Sequence, residues 1–395
     1  MQWVLSAESQ VKPLSFRLYF WIIILLAGSG LAASIYLSVS HFRVFTDIGY
    51  RSFCAISRAI NCDTVSQSPY AIFLNAPVPI WGIIGYTFLL IFVAFFVGLK
   101  GSEGRGLAIA FTISLAFSGY SVILAFMSSY YIGAYCIVCI YTYAVNFLLA
   151  YMTWLVRKRF ESKNYIRALK SDIKYLKQQP KMSVSIVIVL VCSIISIVSF
   201  FPAYWNLELS EGPLKLPTGI TDDGHPWIGS DSEQIVITEY TDYLCFQCKK
   251  MNLYLREFVF RHPDKIKLVH RHFPMDSRFN PSLNAPFHEG AGIMALIAIH
   301  AAENGKFWPV NDYLFSIAGH GARIDINEIA AKSGLNVSKI KDALNDPDIR
   351  QKLMQDIQQG LKFGLTGTPS YIIEDRVYHG MIPAEVFNKV LNSGS

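Results

Sequence analysis

Residues 106–156 read GLAIAFTISLAFSGYSVILAFMSSYYIGAYCIVCIYTYAVNFLLAYMTWLV, without one Asp, Glu, Lys or Arg. A bilayer crossing takes about 20 apolar residues, so this run predicts two membrane helices, Gly106–Tyr130 and Ala134–Val156, around a tight turn. Outward from it, three more apolar segments predict helices at Leu18–Ser40, Val78–Leu99 and Met182–Trp205. The first is too long, and too poorly terminated by small residues, for a cleaved signal peptide. The whole chain of 395 residues is 52% apolar and only 16% charged, against about 25% charged in ordinary soluble domains.

The net charge of +6 does not point to nucleic acid, because much of it sits in one block, residues 157–181, between two apolar segments. Such a block reads as a cytoplasmic loop. Lys12 and Arg17 before the first helix, and Lys100 and Arg105 between the second and third, fall on the same side if the helices alternate. Residues 41–77, the turn before Cys136 and everything after the fifth helix then face the opposite, oxidising side. The helices carry no buried charge marking a transport path.

Beyond Trp205, residues 208–232 are rich in Gly and Pro and read as a linker. From residue 233 the pattern becomes soluble α/β. Strands are predicted at Gln234–Tyr240 and Lys265–His270, with an amphipathic helix at Lys249–Phe260 between them. Helical stretches follow at Pro286–Asn304 and over much of Ile326–Leu361, then a hairpin of Ser370–Glu374 and Arg376–His379, then a helix from Pro383. The expected organisation is an arm (1–14), a four-helix membrane domain (15–156), a basic loop (157–181), a fifth membrane helix (182–207), the linker (208–232) and a soluble domain (233–395).

Six of the seven cysteines fall into close pairs: Cys54 and Cys62, Cys136 and Cys139, Cys245 and Cys248. Cys192, inside an apolar segment, reads as a small buried apolar residue. Cys245-Phe246-Gln247-Cys248 follows a strand and opens a helix, where free N–H groups and the helix dipole favour a thiolate on the first cysteine. No second ligand pair at zinc spacing follows it. Cys136 and Cys139 share a helix face among tyrosines, a setting suited to a lipid-soluble electron carrier. Zinc there would need Cys54 and Cys62 as further ligands. Those two are eight residues apart, about 12 Å on a straight helix, so pairing them requires the segment to bend. A mobile shuttle disulfide and a static loop clamp both remain open.

Two resemblances follow. The Cys-x-x-Cys after a strand, Glu239 six residues before it, and Thr368-Pro369 ahead of a strand resemble the thioredoxin superfamily, over roughly 233–392 and in its DsbA-like branch. That resemblance implies a cis-proline at Pro369 beside the disulfide and a buried acid, Glu239, moving protons for the second cysteine. A plain trans turn and an ordinary strand-end acid are the bland alternatives. Phe-Gln between the cysteines departs from the Pro-His of strongly oxidising members. Two loop cysteines eight apart, Ser68 six beyond the second, and Cys136-Ile137-Val138-Cys139 followed by Thr142-Tyr143-Ala144 resemble the vitamin K epoxide reductase family over roughly 15–156.

The implied fold is a membrane α-helical bundle of five transmembrane helices, four forming the vitamin K epoxide reductase-like core, plus an α/β thioredoxin-like domain with a helical insertion. The implied activity oxidises extracytoplasmic or secreted protein thiols and reduces a membrane quinone of the ubiquinone or menaquinone type, without metal. By that resemblance Cys139 faces the quinone, Cys136 exchanges with Cys62, and Cys54 exchanges with Cys245. Tyr143 lines the quinone pocket and Ser68 assists at the loop, although a belt tyrosine and an ordinary loop serine are their simpler readings. The location implied is the cell (inner) membrane, with the redox cysteines on the periplasmic side. Reverse electron flow, as in a reductase or isomerase, and a membrane-tethered chaperone with structural cysteines are the rival functions.

Overall fold

A computed structural model describes residues 15–57, 59–97, 105–161, 164–207, 216–233, 235–317, 324–383 and 385–388. Lys12 and Lys100 of the sequence reading lie outside the described residues, as do the whole of the expected arm and the first part of the linker. The chain divides into two compact units, Met1–Val44 with Arg51–Ala203, and Phe45–Tyr50 with Tyr204–Ser395.

The first unit contains α1 (Phe16–Thr46), α2 (Cys62–Gln67), a two-stranded ribbon of β1 (Ile72–Phe73) and β2 (Ala76–Pro77), α3 (Val78–Phe92), α4 (Leu107–Met127), α5 (Ile137–Phe160), α6 (Tyr165–Gln178) and α7 (Pro180–Phe200). Among the described residues five of its helices are long and apolar enough to span a bilayer. Helix α3 continues as a wider turn over Val93–Val97, and α4 does so over Ser128–Ile132 before Gly133 turns the chain in the left-handed region. The bundle core gathers Tyr19, Ile23, Leu89, Phe92, Phe96 and Leu149. Along α4, Ser114, Ser118 and Ser121 are buried, and each hydroxyl bonds the carbonyl four residues back. Small, internally satisfied side chains let neighbouring membrane helices approach closely.

Three expectations about this unit need correction. Helix α1 runs six residues beyond Ser40, because residues 41–46 contain no helix breaker. The basic stretch 157–181 is no plain loop: its apolar residues recur at helical spacing and it forms α6. There Asp172, 2% exposed, accepts hydrogen bonds from the N–H groups of Gly106 (2.8 Å), Ala108 (3.0 Å) and Ile109 (3.4 Å) at the start of α4. Those are donors that a helix N-terminus leaves without intrahelical partners. Cys192 is exposed rather than buried, since the membrane-spanning window of α7 buries none of its residues in protein.

The second unit holds a six-stranded sheet in the order β3-β4-β6-β5-β7-β8. Its strands are β3 (Thr218–Ile220), β4 (Pro226–Gly229), β5 (Ile235–Thr241), β6 (Ile266–His272), β7 (Ser370–Ile373) and β8 (Arg376–His379). Helix α8 (Phe246–Arg261) connects β5 to β6, the parallel pair. Between β6 and β7 lie α9 (Ala291–Glu303), α10 (Phe307–Ser316), α11 (Ile326–Ser333), α12 (Val337–Ala343) and α13 (Pro347–Lys362). This is the α/β thioredoxin-like fold with a helical insertion. Met251, Leu255 and Val259 of α8 cover one face of the sheet, while α9 and α13 pack with Tyr240 and Phe273 on the other. Two short strands occupy what reads as linker, since Gly219 and Gly229 disguise them. The stretch 326–361 is three helices, broken at Gly334 and restarted by the side-chain caps Asn336 and Asp346. Helix α10 has no counterpart in the sequence reading.

Candidate functional site

In the first unit, α5 opens on the membrane cysteines. Cys136 is its N-cap and its Sγ accepts a hydrogen bond from the Cys139 N–H at 3.2 Å. Hydrogen bonding from Cys139 holds the Cys136 thiol below its ordinary value, the direction a helix N-terminus also favours. Both are free thiols, Cys136 buried and Cys139 half-buried.

Cys54 and Cys62 form a disulfide with their Cα atoms 5.6 Å apart. The segment achieves this by folding back, with the Ile56 N–H bonded to the Ile60 carbonyl at 3.0 Å. Cys62 then begins α2, whose N-cap Asn61 takes bonds from the Asp63 and Thr64 N–H groups. Ala59 and Asn61 pair with Tyr135: Tyr135 N–H donates to the Ala59 carbonyl at 2.8 Å and Asn61 N–H to the Tyr135 carbonyl at 2.9 Å. This splice sets the loop disulfide against the start of α5. Cys54, Cys62, Cys136 and Leu37 form one buried cluster, with Cys139 packed at its margin.

Beside it lies a cavity of about 350 Å³ whose lining includes Cys139, Tyr143 and Ser68 together with Trp81, Tyr120 and Asn146. Ser68 is 4% exposed and donates to the Val65 carbonyl. Asn146 is a polar residue that the sequence reading passed over. Its Oδ1 accepts from the Tyr86 hydroxyl at 2.6 Å and its Nδ2 donates to Ser121 Oγ at 2.9 Å. An amide in an otherwise apolar membrane helix was the available signal, because such a group needs partners there.

In the second unit, Cys245 is the N-cap of α8, and its Sγ takes the Cys248 N–H at 3.4 Å. Thr368–Pro369 is a cis peptide, and the Thr368 carbonyl accepts from the Cys245 thiol at 3.5 Å. Hydrogen bonding from Cys248 holds the Cys245 thiol below its ordinary value, aided by His288. Burial pushes the Cys248 thiol well up, reinforced by Cys245. The two thiols of the pair are thus held in opposite directions, Cys245 low and Cys248 high.

Glu239 is fully buried, six residues before Cys245. Asp242 was missed. It is 1% exposed, accepts from the Leu244 and Met275 N–H groups, and lies 3.0 Å from His288 Nδ1. Among the described residues no group of three or more His, Cys, Asp or Glu side chains is placed to hold a metal ion.

Residues 21–154 match the vitamin K epoxide reductase family model, and residues 221–393 match a thioredoxin model. Among curated proteins, similarity at 24% identity is found to a Na(+)/H(+) antiporter NhaA of Herminiimonas arsenicoxydans, over 48% of this chain and 28% of that protein. A second, NhaA 3 of Salinispora tropica, is also 24% identical, over 47% of this chain and 27% of that protein. The chain thus spans just over a quarter of the length of the curated relatives it matches.

Among solved structures, a thioredoxin-like oxidoreductase from Silicibacter pomeroyi is 21% identical, covering 44% of this chain and 92% of that one at a TM-score of 0.37. Pseudomonas aeruginosa DsbA2 is 23% identical, covering 43% and 93% at a TM-score of 0.34. Two family matches and two helix-capping Cys-x-x-Cys pairs coincide: the chain carries a region similar to the vitamin K epoxide reductase family, a region similar to thioredoxins and, among the described residues, five helices long and apolar enough to cross a membrane.

Proposed function

We propose that the chain oxidises protein thiols outside the cytoplasm through Cys245 and Cys248, and passes the electrons through Cys54–Cys62 and Cys136–Cys139 to a membrane quinone. The observation that carries this reading is the buried cluster of the loop disulfide and Cys136, with Cys139 at once on its margin and on the wall of the cavity. Each exchange moves two electrons: an attacking thiolate forms a mixed disulfide, and a second thiolate resolves it while the displaced sulfur takes a proton. Cys136, hydrogen-bonded as a thiolate would be, is the attacking member toward Cys62, and Cys139 is the member on the cavity side.

The cavity suits a flat, lipid-soluble ring, having mostly apolar walls with a few hydroxyls and one amide. Tyr143, Tyr120, Ser121 and Asn146 would hold a quinone there, and such a ring supplies an acceptor for two electrons and two protons. Ser68, bonded back to its own turn, stiffens the loop side. Cys54 would exchange with Cys245, Pro369 would shape the client-facing edge of that pair, and Glu239 would serve Cys248. The basic stretch carrying Arg105 and α6 would face the cytoplasm, placing the thioredoxin-like unit on the periplasmic side. The functional units would be the membrane domain of 15–156, the basic segment of 157–181, a tethering helix and linker over 182–232, and the soluble domain of 233–395.

The test is purified protein in lipid with a reduced dithiol peptide and ubiquinone or menaquinone, following quinone absorbance. Quinol should appear with the parent protein and not with Cys139→Ala, while Cys139→Ala still exchanges disulfides with the peptide at Cys245. A parent protein that oxidises the peptide without forming quinol would refute the quinone reading.

A further inference from the structure

Helix α6 is tied down at both ends. It starts at Tyr165, shortly after α5 ends at Phe160, and stops at Gln178, just before α7 begins at Pro180. Both α5 and α7 are long and apolar enough to cross a bilayer. A link of about five residues reaches about 17 Å at most, and the 14 residues of α6 rise about 21 Å. So α6 stays beside the bilayer face at which those two helices meet.

At 3.6 residues per turn, the side chains of α6 sort into three stripes. The first is docked. Ala168 and Asp172 are buried, and Asp172 accepts the N–H groups at the start of α4. The Tyr165 hydroxyl lies 2.8 Å from Thr112 Oγ1, and the Tyr175 ring meets Phe96 edge-on at 6.4 Å. The second stripe is apolar and open: Ile166 and Ile173, two turns apart, are 66% and 44% exposed. The third is basic, with Lys177, Lys170, Lys174 and Arg167 side by side and all exposed.

An apolar edge beside a row of cations is what a helix lying in a membrane interface presents. The apolar side chains reach the acyl boundary, while the long basic ones extend to the headgroups. The charge of this face selects among headgroups. Within α6 four basic residues stand against a single acid, Asp172, and that acid is turned to α4. Zwitterionic headgroups offer such a row no net attraction, whereas an anionic surface does.

We propose that the exposed face of α6 binds anionic phospholipid headgroups of the adjoining leaflet, with Arg167, Lys170, Lys174 and Lys177 on the phosphates and Ile166 and Ile173 at the acyl boundary. This goes beyond the electron relay and does not depend on it; it depends on α5 and α7 crossing a bilayer. Because Asp172 fastens the same helix to α4, lipid held by α6 also favours the docked helix, as any ligand favours the state that binds it.

The test uses the full chain in nonionic detergent. Phosphatidylglycerol and phosphatidylcholine with identical acyl chains are supplied together, and native mass spectrometry counts which is retained. The parent should prefer phosphatidylglycerol. One basic residue near an anionic surface is worth about fivefold in association, so Lys170→Gln combined with Lys174→Gln should cut that preference by about thirtyfold. Lys170→Arg combined with Lys174→Arg should keep it. Raising the salt from about 0.1 to about 1 M shortens the screening length from about 10 to about 3 Å. That should erode the preference of the unsubstituted chain, and it serves where the Gln variant does not fold.

An equal preference in the parent and the Gln variant would overturn the assignment to α6. Release of the lipid by free glycerol phosphate at matched concentration would show a simple anion site, and release by oligoglutamate of matched charge would show a face for an acidic protein. Either result would overturn the lipid surface. A chain that stays dispersed in buffer without detergent would overturn the membrane-spanning reading of α5 and α7, and the proposal with it.

Discussion

Replacing Asp172 with alanine takes away one carboxylate and strands three N–H groups at the start of α4. Gly106, Ala108 and Ile109 donate to it at 2.8, 3.0 and 3.4 Å, and the side chain is 2% exposed, so water cannot readily substitute. Leaving a buried donor unmet costs at least about 1 kcal/mol, so three cost about 3 kcal/mol, in line with the upper range for losing a helix cap with its favourable charge. For a unit of this size each kcal/mol shifts the midpoint by roughly 2–4 °C, which gives a drop of roughly 6–12 °C.

Asp172→Asn keeps one acceptor oxygen and should lose about half as much. The assay is thermal unfolding in detergent of a background with Cys192, Cys245 and Cys248 replaced by Ser, read by a maleimide dye that fluoresces on reaching the thiols at the start of α5, so a soluble-domain transition does not obscure it. Asp172→Ala and the parent melting together would show that α6 is not what caps α4, and equal losses in Ala and Asn would show that the hydrogen bonds are not the cause.

Other expectations follow from the same structure. With its thiol held low, Cys245 should stay reactive to iodoacetamide as pH falls below the ordinary cysteine range, and lose reactivity only below its own lowered value. Cys248, pushed up and buried, should remain unmodified throughout, and peptide mass analysis of the reduced full chain that found equal labelling would contradict this. Gly229 has φ +121°, and a Cβ there would stand 2.1 Å from the Ile266 carbonyl oxygen. Gly229→Ala should therefore destabilise the soluble unit by about 3 kcal/mol, visible as a calorimetric transition lowered by several degrees. Tyr143→Phe should raise the KM for quinone more than it lowers kcat, since the ring still lines the cavity.

Much of the fold and the cysteine chemistry was legible because composition and spacing are local properties. A charge-free run announces membrane helices without tertiary information, and Cys-x-x-Cys after a strand places one sulfur on a helix N-cap. Glu239 could be located by its distance from Cys245 alone. Asp172 could not: in sequence it is one acid in a basic stretch, and only docking of α6 reveals the donors it meets. The strands around Gly219 and Gly229 look like linker because glycine there answers to close approach of a ring and a backbone rather than to flexibility. Asn146 was overlooked because a single amide barely disturbs an apolar run.

The splice at Tyr135 bears on how freely the loop disulfide can travel. Two backbone hydrogen bonds, from Tyr135 to Ala59 and from Asn61 to Tyr135, fasten the loop segment just before Cys62. At about 1 kcal/mol apiece, their combined hold amounts to about 2 kcal/mol, a ratio of roughly thirty to one. In the relay proposed above, a fastening of that strength would act as a catch rather than a weld, holding the Cys62 segment beside Cys136 yet opening in about one molecule in thirty.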